Sequence, residues 1–169
     1  MEKGKKGETS KHEIIYVLRT SQQHHVQLSF MADQKANIII GSFLVYCTIL
    51  FTYILKNNYW HIALYFLTFF YLLAFLAALT ALLPSLNRVK SNTPNLLFFH
   101  GFSRLSEEGY VRQMMEILEK DMAPREMLLK DIYLLGIVLD KKYFKLRVSY
   151  SSLLLGVFSS LLVFFISSI

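Results

Sequence analysis

The chain has 169 residues, a net charge of +6 and a hydrophobic fraction of 54%, with 14 phenylalanines. This apolar content is high for a soluble domain and is concentrated in three uncharged blocks, which favours an integral membrane protein. The single cysteine, Cys47, excludes an internal disulfide. Anionic lipid headgroups explain the basic charge more simply than nucleic acid does, so we expect membrane lipids and no nucleic acid as partners.

The chain begins with a polar, lysine-rich segment, residues 1–10, that we expect to be disordered. Residues 11–35 contain neither proline nor glycine, and Ile14, Leu18, His25 and other residues of one stripe recur at helical spacing. This pattern predicts a cytoplasmic helix over 11–35 that continues directly into the first hydrophobic block.

Each of the three hydrophobic blocks has the roughly 20 apolar residues that are needed to cross the hydrocarbon of a bilayer. They cover residues 36–55, 62–83 and 148–169, and Pro84 follows the second block. A buried helix in a soluble core is the alternative for each block, but three uncharged runs of this length argue against it. We therefore predict an all-α membrane protein with three transmembrane helices and a cytoplasmic helical bundle.

The basic residues are distributed unevenly around these blocks. Six precede the first span, only Lys56 lies in the short loop 56–61, and eleven lie in residues 84–147. By the positive-inside rule, the N-terminus and residues 84–147 face the cytoplasm, and the loop 56–61 faces out. We expect a multi-pass protein of the inner membrane with a cytoplasmic N-terminus.

The segment 84–147 carries helix signals of its own. Ser106 is placed as an N-cap, with Glu107 and Glu108 in the first turn. Val111, Met114, Met115 and Leu118 then follow the spacing of an amphipathic helix. Pro124 suits the first turn of a last helix that extends through the third span. The cytoplasmic bundle is thus built from extensions of the first and last spans plus a middle helix.

Candidate functional residues cluster where the first span enters the membrane. Asp33, Lys35 and Asn37 lie within one turn of helix, and ionisable groups at membrane depth are costly and often functional. The alternative is an interfacial boundary, in which Lys35 reaches headgroups and Asp33 pairs with a nearby cation.

Asp131 is a second candidate, because it shares a face with apolar residues of the last helix and an acid there needs a partner. A structural ion pair or an exposed edge of the stripe is the alternative to a ligand contact.

The third span carries a ladder of small residues, Ser152, Gly156 and Ser160, at four-residue spacing. Such ladders let helices approach closely, so we expect them to pack either a homo-oligomer or the three spans of one chain. The sequence contains no pattern typical of a nucleophile, a metal site or a cofactor, and we expect a protein that is not an enzyme.

Several short motifs resemble a known family. Ala32-Asp33-Gln34-Lys35-Ala36 opens the first span, Pro84 closes the second, and Asn95-Leu96-Leu97-Phe98-Phe99 precedes the acid-started helix. Lys142-Tyr143-Phe144-Lys145-Leu146-Arg147 leads into the last span. In this order the motifs resemble the transmembrane effector domain of Pycsar anti-phage systems, and related effectors occur in CBASS systems. The resemblance covers roughly residues 20–169.

The resemblance implies a function. An effector of this kind senses a cyclic nucleotide second messenger, cCMP or cUMP, and impairs the inner membrane, which causes abortive infection. The matched residues become candidates for ligand binding or coupling: Asp33, Lys35, Asn95, Phe98, Phe99, Lys142, Tyr143 and Arg147. The alternative function is a non-signalling membrane scaffold or adaptor whose cytoplasmic bundle binds a protein.

Overall fold

The fold is entirely helical in the part of the chain that the structure describes. The structure is a computed structural model that describes residues 2–56, 62–83, 96, 102–103, 105–120 and 122–167, with side chains from residue 13 onward. The helices are α1 (Glu2–Lys56), α2 (Ile62–Leu82), α3 (Glu107–Leu118) and α4 (Ala123–Ser167). The predicted all-α class is confirmed. Pro84 and all of the loop 56–61 except Lys56 lie outside the described residues.

Three of these helices are long and apolar enough to cross a membrane, namely α1, α2 and α4. This confirms the number of spans predicted from the sequence. A crossing needs roughly 20 residues, and α1 and α4 have 55 and 45 residues. Both helices therefore extend well beyond the length of a span, as the patterns of residues 11–35 and 124–147 indicated.

The N-terminal segment differs from its prediction. We expected disorder over residues 1–10, but α1 begins at Glu2. The segment contains no proline, and its lysines and glutamates are good helix formers that offset the cost of Gly4 and Gly7. Adding residues to an existing helix also avoids the cost of nucleation. The helix of residues 11–56 can therefore extend back to Glu2.

The start of α3 matches the sequence signal. The side chain of Ser106 accepts a hydrogen bond from the backbone N–H of Gly109 at 3.2 Å, and Glu107 and Glu108 occupy the first turn. This satisfies one of the free N–H groups at the helix start, and the two carboxylates complement its partial positive charge. The helix thus begins at the residue that the cap predicted.

The chain divides into two compact units. The first is built from Met1–Leu28 and Ser85–Leu139, and the second from Ser29–Pro84 and Asp140–Ile169. The first unit contains α3, the second contains α2, and the long helices α1 and α4 contribute to both.

The core of the second unit consists largely of alanines. Its buried cluster contains five alanines and two residues with larger side chains. The alanines are Ala32 and Ala36 of α1 and Ala74, Ala78 and Ala81 of α2, and the larger residues are Ile39 of α1 and Leu146 of α4. Small side chains let helix backbones approach closely, which is how membrane helices gain van der Waals contact in the absence of a hydrophobic drive.

Two hydrogen bonds connect the spans within this unit. The hydroxyl of Ser149 on α4 donates to the carbonyl oxygen of Ala74 on α2 at 2.6 Å. The hydroxyl of Tyr46 on α1 lies 2.6 Å from that of Thr68 on α2. Interhelical bonds of this kind pair polar groups that lipid tails cannot satisfy.

The small-residue ladder of the third span is used inside the chain. Gly156 is buried, and a Cβ added to it would lie 2.7 Å from the Cβ of Phe70 on α2. Ser160 lines an apolar pocket of about 370 Å³ together with Tyr46 and Leu64 of the other spans, and Ser152 is half-buried. Of the two roles expected for this ladder, the structure favours packing of the three spans of one chain.

This packing predicts the effect of a single methyl group. Gly156→Ala should destabilise the chain by about 1–3 kcal/mol, because the new Cβ overpacks against Phe70. Gly136→Ala on the same helix is the matched control: its Cβ would meet nothing within 4 Å, and alanine is a better helix former than glycine. Thermal unfolding in detergent should show a lower midpoint for the first variant only. Equal midpoints for the two variants would contradict the close contact.

Candidate functional site

A half-buried ion pair links α1 to α4 where the first span begins. The ammonium group of Lys142 donates to the two carboxylate oxygens of Asp33 at 2.8 and 2.9 Å and to the hydroxyl of Ser29 at 2.9 Å. A lysine ammonium has three N–H donors, so these three oxygens saturate it. The side chain of Lys142 is only 15% exposed, and that of Asp33 is 35% exposed.

The alanine core explains why these side chains meet. Residues four apart share a helix face. On α4, Leu146 lies in the core beside the alanines, so Lys142 lies one turn before it on the same face. On α1, Ser29 and Asp33 are likewise one turn apart, next to the buried Ala32. Close packing of the alanine face therefore places one lysine between two oxygen-bearing side chains.

Two further lysines surround this pair. The ammonium of Lys35 lies 5.7 Å from the ring centroid of Tyr143 on α4, within the range of a cation–π contact. Lys145 donates to the backbone carbonyl of Thr80 at 2.7 Å. That carbonyl belongs to the last turn of α2, where backbone acceptors lack helical partners, so Lys145 caps α2 from α4. We call Ser29, Asp33, Lys35, Lys142, Tyr143 and Lys145 the mouth cluster.

The structure brings some of the predicted residues together and leaves others apart. Asp33, Lys35, Lys142 and Tyr143 all belong to the mouth cluster, and the nearby cation expected for Asp33 is Lys142. Asn37 and Arg147 are exposed. Asn95, Phe98 and Phe99 lie outside the described residues.

Asp131 lies in a second polar site, within the first unit. It is 5% exposed, and the side-chain amide of Gln22 on α1 donates to its carboxylate. Burial excludes the expectation that Asp131 marks an exposed edge of the apolar stripe. His25, one turn after Gln22, has a buried Nδ1 without a hydrogen-bond partner among the described residues. We call Gln22, His25 and Asp131 the inner polar set.

The surface of α4 next to the inner polar set carries a local ion pair. Lys130 lies 2.7 Å from the carboxylate of Glu126, and both side chains are well exposed. The hydrogen bond from Lys130, followed by its positive charge, lowers the pKa of Glu126. An exposed pair at this spacing adds little stability, and it lies within α4, whereas the bond between Gln22 and the buried Asp131 connects α1 to α4.

The sequence of this chain matches one known protein family. A family model described as the Pycsar effector protein domain matches residues 16–169. The chain belongs to this family. No curated protein and no solved structure matched the chain. A Pycsar effector acts in anti-phage signalling through a cyclic nucleotide, and together with the three apolar helices the family indicates a membrane location. The match contains both the mouth cluster and the inner polar set.

Sequence reasoning missed several residues of the two sites. Gln22, Ser29 and Lys145 were not candidates, because their partners Asp131, Lys142 and Thr80 lie far away along the chain. A local signal existed for Gln22 and Ser29 only: they lie three residues before and four residues after His25, a member of the helical stripe, and so share its face. Nothing in the local pattern marked Lys145 as a cap for another helix.

The ion pair of the mouth cluster predicts a coupling between two substitutions. Asp33→Asn and Lys142→Met should each lower stability, because each leaves the other charged group half-buried without its counter-ion. The loss of unfolding free energy in the double variant should be about 1–2 kcal/mol smaller than the sum of the losses in the two single variants. Thermal unfolding in detergent measures this cycle. Additive effects would show that the pair contributes no interaction energy.

Proposed function

We propose that this Pycsar effector binds a cyclic pyrimidine mononucleotide, cCMP or cUMP, and then impairs the inner membrane, so that an infected cell stops growing or dies. The family match over residues 16–169 is the observation that carries this proposal. It includes the polar groups of the first unit as well as all three apolar helices.

The inner polar set supports ligand binding in the first unit. A pyrimidine edge presents donors and acceptors, and the set offers a carboxylate acceptor, a primary amide and an imidazole, which suit such an edge. The buried Nδ1 of His25 costs free energy while it lacks a hydrogen bond, and a ligand group that pairs with it removes that cost. In this proposal Asp131 accepts from the amine of cytosine or from the ring N–H of uracil.

The mouth cluster supports coupling in the second unit. Its contacts hold α1, α2 and α4 together where the spans begin. A ligand shifts the packing of helices only as far as it binds two arrangements with different affinity. We propose that the bound state loosens the Asp33–Lys142 pair and that the rearranged spans damage the bilayer. Asn37 and Arg147 flank this cluster and belong to the same coupling region in the proposal.

The remaining parts of the proposal follow from charge and composition. The excess of lysine and arginine before the first span and in residues 84–147 favours a cytoplasmic N-terminus in the inner membrane and contact with anionic lipids. Membrane damage by a change of helix packing needs no catalysis, so we propose an effector that is not an enzyme. We also propose that it acts as a homo-oligomer.

A membrane scaffold or adaptor is the second candidate function. The observation in its favour is the exposed apolar side of α3, where Val111, Met115 and Leu118 are 51–59% exposed. Such a side is suited to binding another protein. A scaffold would bind its partner without responding to a nucleotide.

Nucleotide binding and membrane damage can be separated by two substitutions. With the parent chain in detergent, cCMP or cUMP should raise the unfolding midpoint, because a ligand that binds only the folded state stabilises it. Asp131→Asn should greatly reduce this shift, because the amide replaces one acceptor by a donor. Lys142→Met should keep the shift but depolarise cells even without added nucleotide, because the ion pair that holds the silent packing is already absent.

This experiment has two controls. Membrane insertion is checked for each variant, and a third variant removes the exposed ion pair of α4. Lys130→Met removes a lysine of the same helix outside both sites and should keep binding and depolarisation. The absence of a midpoint shift for the parent chain with cCMP, cUMP and cyclic oligonucleotides would contradict the effector proposal and favour the scaffold.

The orientation predicts the labelling of two loop positions. In a Cys47→Ser background, Asn58→Cys should react with a membrane-impermeant maleimide added to intact cells, because the loop 56–61 faces out. Ser91→Cys should react only after the cells are opened. Permeabilised cells provide the control for accessibility, and the reverse pattern would contradict the cytoplasmic N-terminus.

A further inference from the structure

Two basic residues of the second unit stand directly before an apolar block. Lys35 precedes the block 36–55 on α1, and Arg147 precedes the block 148–169 on α4. In a chain that crosses the bilayer, this is the depth at which hydrocarbon gives way to lipid headgroups. Both side chains are exposed, so their charged groups meet the headgroup layer.

Contacts between α1 and α4 bring these two cations to the same side of the unit. Tyr143, Arg147 and Tyr150 are spaced by four and three residues and therefore share a face of α4. The ring of Tyr143 lies below the ammonium of Lys35, and the hydroxyl of Tyr150 donates a long hydrogen bond, 3.4 Å, to the backbone carbonyl of Lys35. Arg147 is placed between these two contacts and hence beside α1. We call Lys35, Tyr143, Arg147 and Tyr150 the basic face.

The charges of the basic face are not neutralised in the part of the chain that the structure describes. The neighbouring Lys142 is bonded to Asp33, and Lys145 is bonded to a backbone carbonyl. Lys35 and Arg147, in contrast, form no ion pair and donate no hydrogen bond to a described residue. Two cations with all of their N–H groups available therefore lie side by side at headgroup depth.

The acid on this side of α4, Asp140, does not change that balance. It is exposed and forms no ion pair with Lys35. It precedes Arg147 by seven residues, which is roughly 10 Å along the helix axis and more than the screening length of about 8 Å in physiological salt. It also lies farther than Arg147 from the apolar block.

A phosphodiester is the chemical group that suits the basic face. The planar guanidinium of Arg147 can donate two parallel hydrogen bonds to two phosphate oxygens, and the ammonium of Lys35 adds a positive charge. Tyrosine rings are typical of the headgroup layer, because they are apolar in the body and polar at the tip. A phospholipid holds its phosphate at this depth through its chains, whereas a free phosphate would have to leave water.

We propose that the basic face binds the phosphate of one anionic phospholipid, such as phosphatidylglycerol, between α1 and α4. In a zwitterionic lipid the phosphate is balanced by the ammonium of the same headgroup, so two unpaired cations favour a lipid with a net negative charge. The bound lipid would bridge the two spans next to the Asp33–Lys142 pair. The inference deepens the proposed contact with anionic lipids and rests on it, but it does not depend on nucleotide signalling.

Native mass spectrometry of the full chain tests the site. The chain in a neutral detergent is mixed with phosphatidylglycerol or with phosphatidylcholine, without nucleotide. The parent should retain one phosphatidylglycerol and bind it several-fold more tightly than phosphatidylcholine. Arg147→Gln and Lys35→Gln should each weaken the binding of phosphatidylglycerol several-fold and leave that of phosphatidylcholine unchanged. Arg147→Lys should keep part of the preference, because it keeps the charge but loses the paired donors.

Lys141→Gln is the matched control. It removes an exposed lysine of the same helix that lies six residues before Arg147, about a third of a turn around the helix from it. This variant should bind phosphatidylglycerol as the parent does. Inorganic phosphate at millimolar concentration should not displace the lipid, because it lacks the chains that anchor the headgroup.

Three outcomes would overturn the inference. Equal binding of the two lipids would show that the headgroup is not selected, and an equal loss with Lys141→Gln would show that only the general surface charge matters. Displacement by inorganic phosphate would assign the face to free anions instead of lipid. Lys35→Gln also removes the contact with Tyr143, so should it lower the unfolding midpoint in detergent, Arg147→Gln decides alone.

Discussion

The second unit depends on close contact between helices that carry alanine where they meet. Ala32 and Ala36 of α1 are almost fully buried, as are Ala74 and Ala78 of α2. In a membrane, apolar side chains gain little by leaving lipid, so packing distance and interhelical hydrogen bonds determine which helices associate. Larger residues at these positions would separate the backbones. The bonds from Ser149 to Ala74 and between Tyr46 and Thr68 span short distances that this contact provides.

The polar groups of the two units are organised in different ways. In the second unit Lys142 is held by three oxygens, and Lys145 binds a backbone carbonyl. In the first unit a buried carboxylate accepts from an amide, and the neighbouring Nδ1 of His25 has no hydrogen-bond partner in the described part of the chain. A saturated arrangement favours one packing state, whereas an incompletely bonded one favours the arrival of a further group. This contrast is why we propose coupling for the mouth cluster and ligand binding for the inner polar set.

Much of the fold could be predicted because its signals are local. The length of the apolar runs specified three spans, and the cap at Ser106 specified the start of α3. The N-terminal extension of α1 was missed, because two glycines and many charges resemble a disordered tail although lysine and glutamate favour a helix. Asp33 and Lys35 were candidates because of their position at the start of the first span, and Lys142 and Tyr143 because of the sequence motifs of the family. Their pairing could not be derived, since it depends on how α1 packs against α4, whose paired residues are 109 apart along the chain.

The saturation of Lys142 has a consequence for background signalling. In the orientation that we propose, Lys142 lies on the cytoplasmic side of the bilayer, where free nucleotides and anionic headgroups both present phosphate. An ammonium that already donates to three oxygens gains nothing from a passing phosphate unless it first gives up the bonds to Asp33 and Ser29. The fold thereby raises the threshold against common anions. Under the function that we propose, such silence protects every uninfected cell from its own effector.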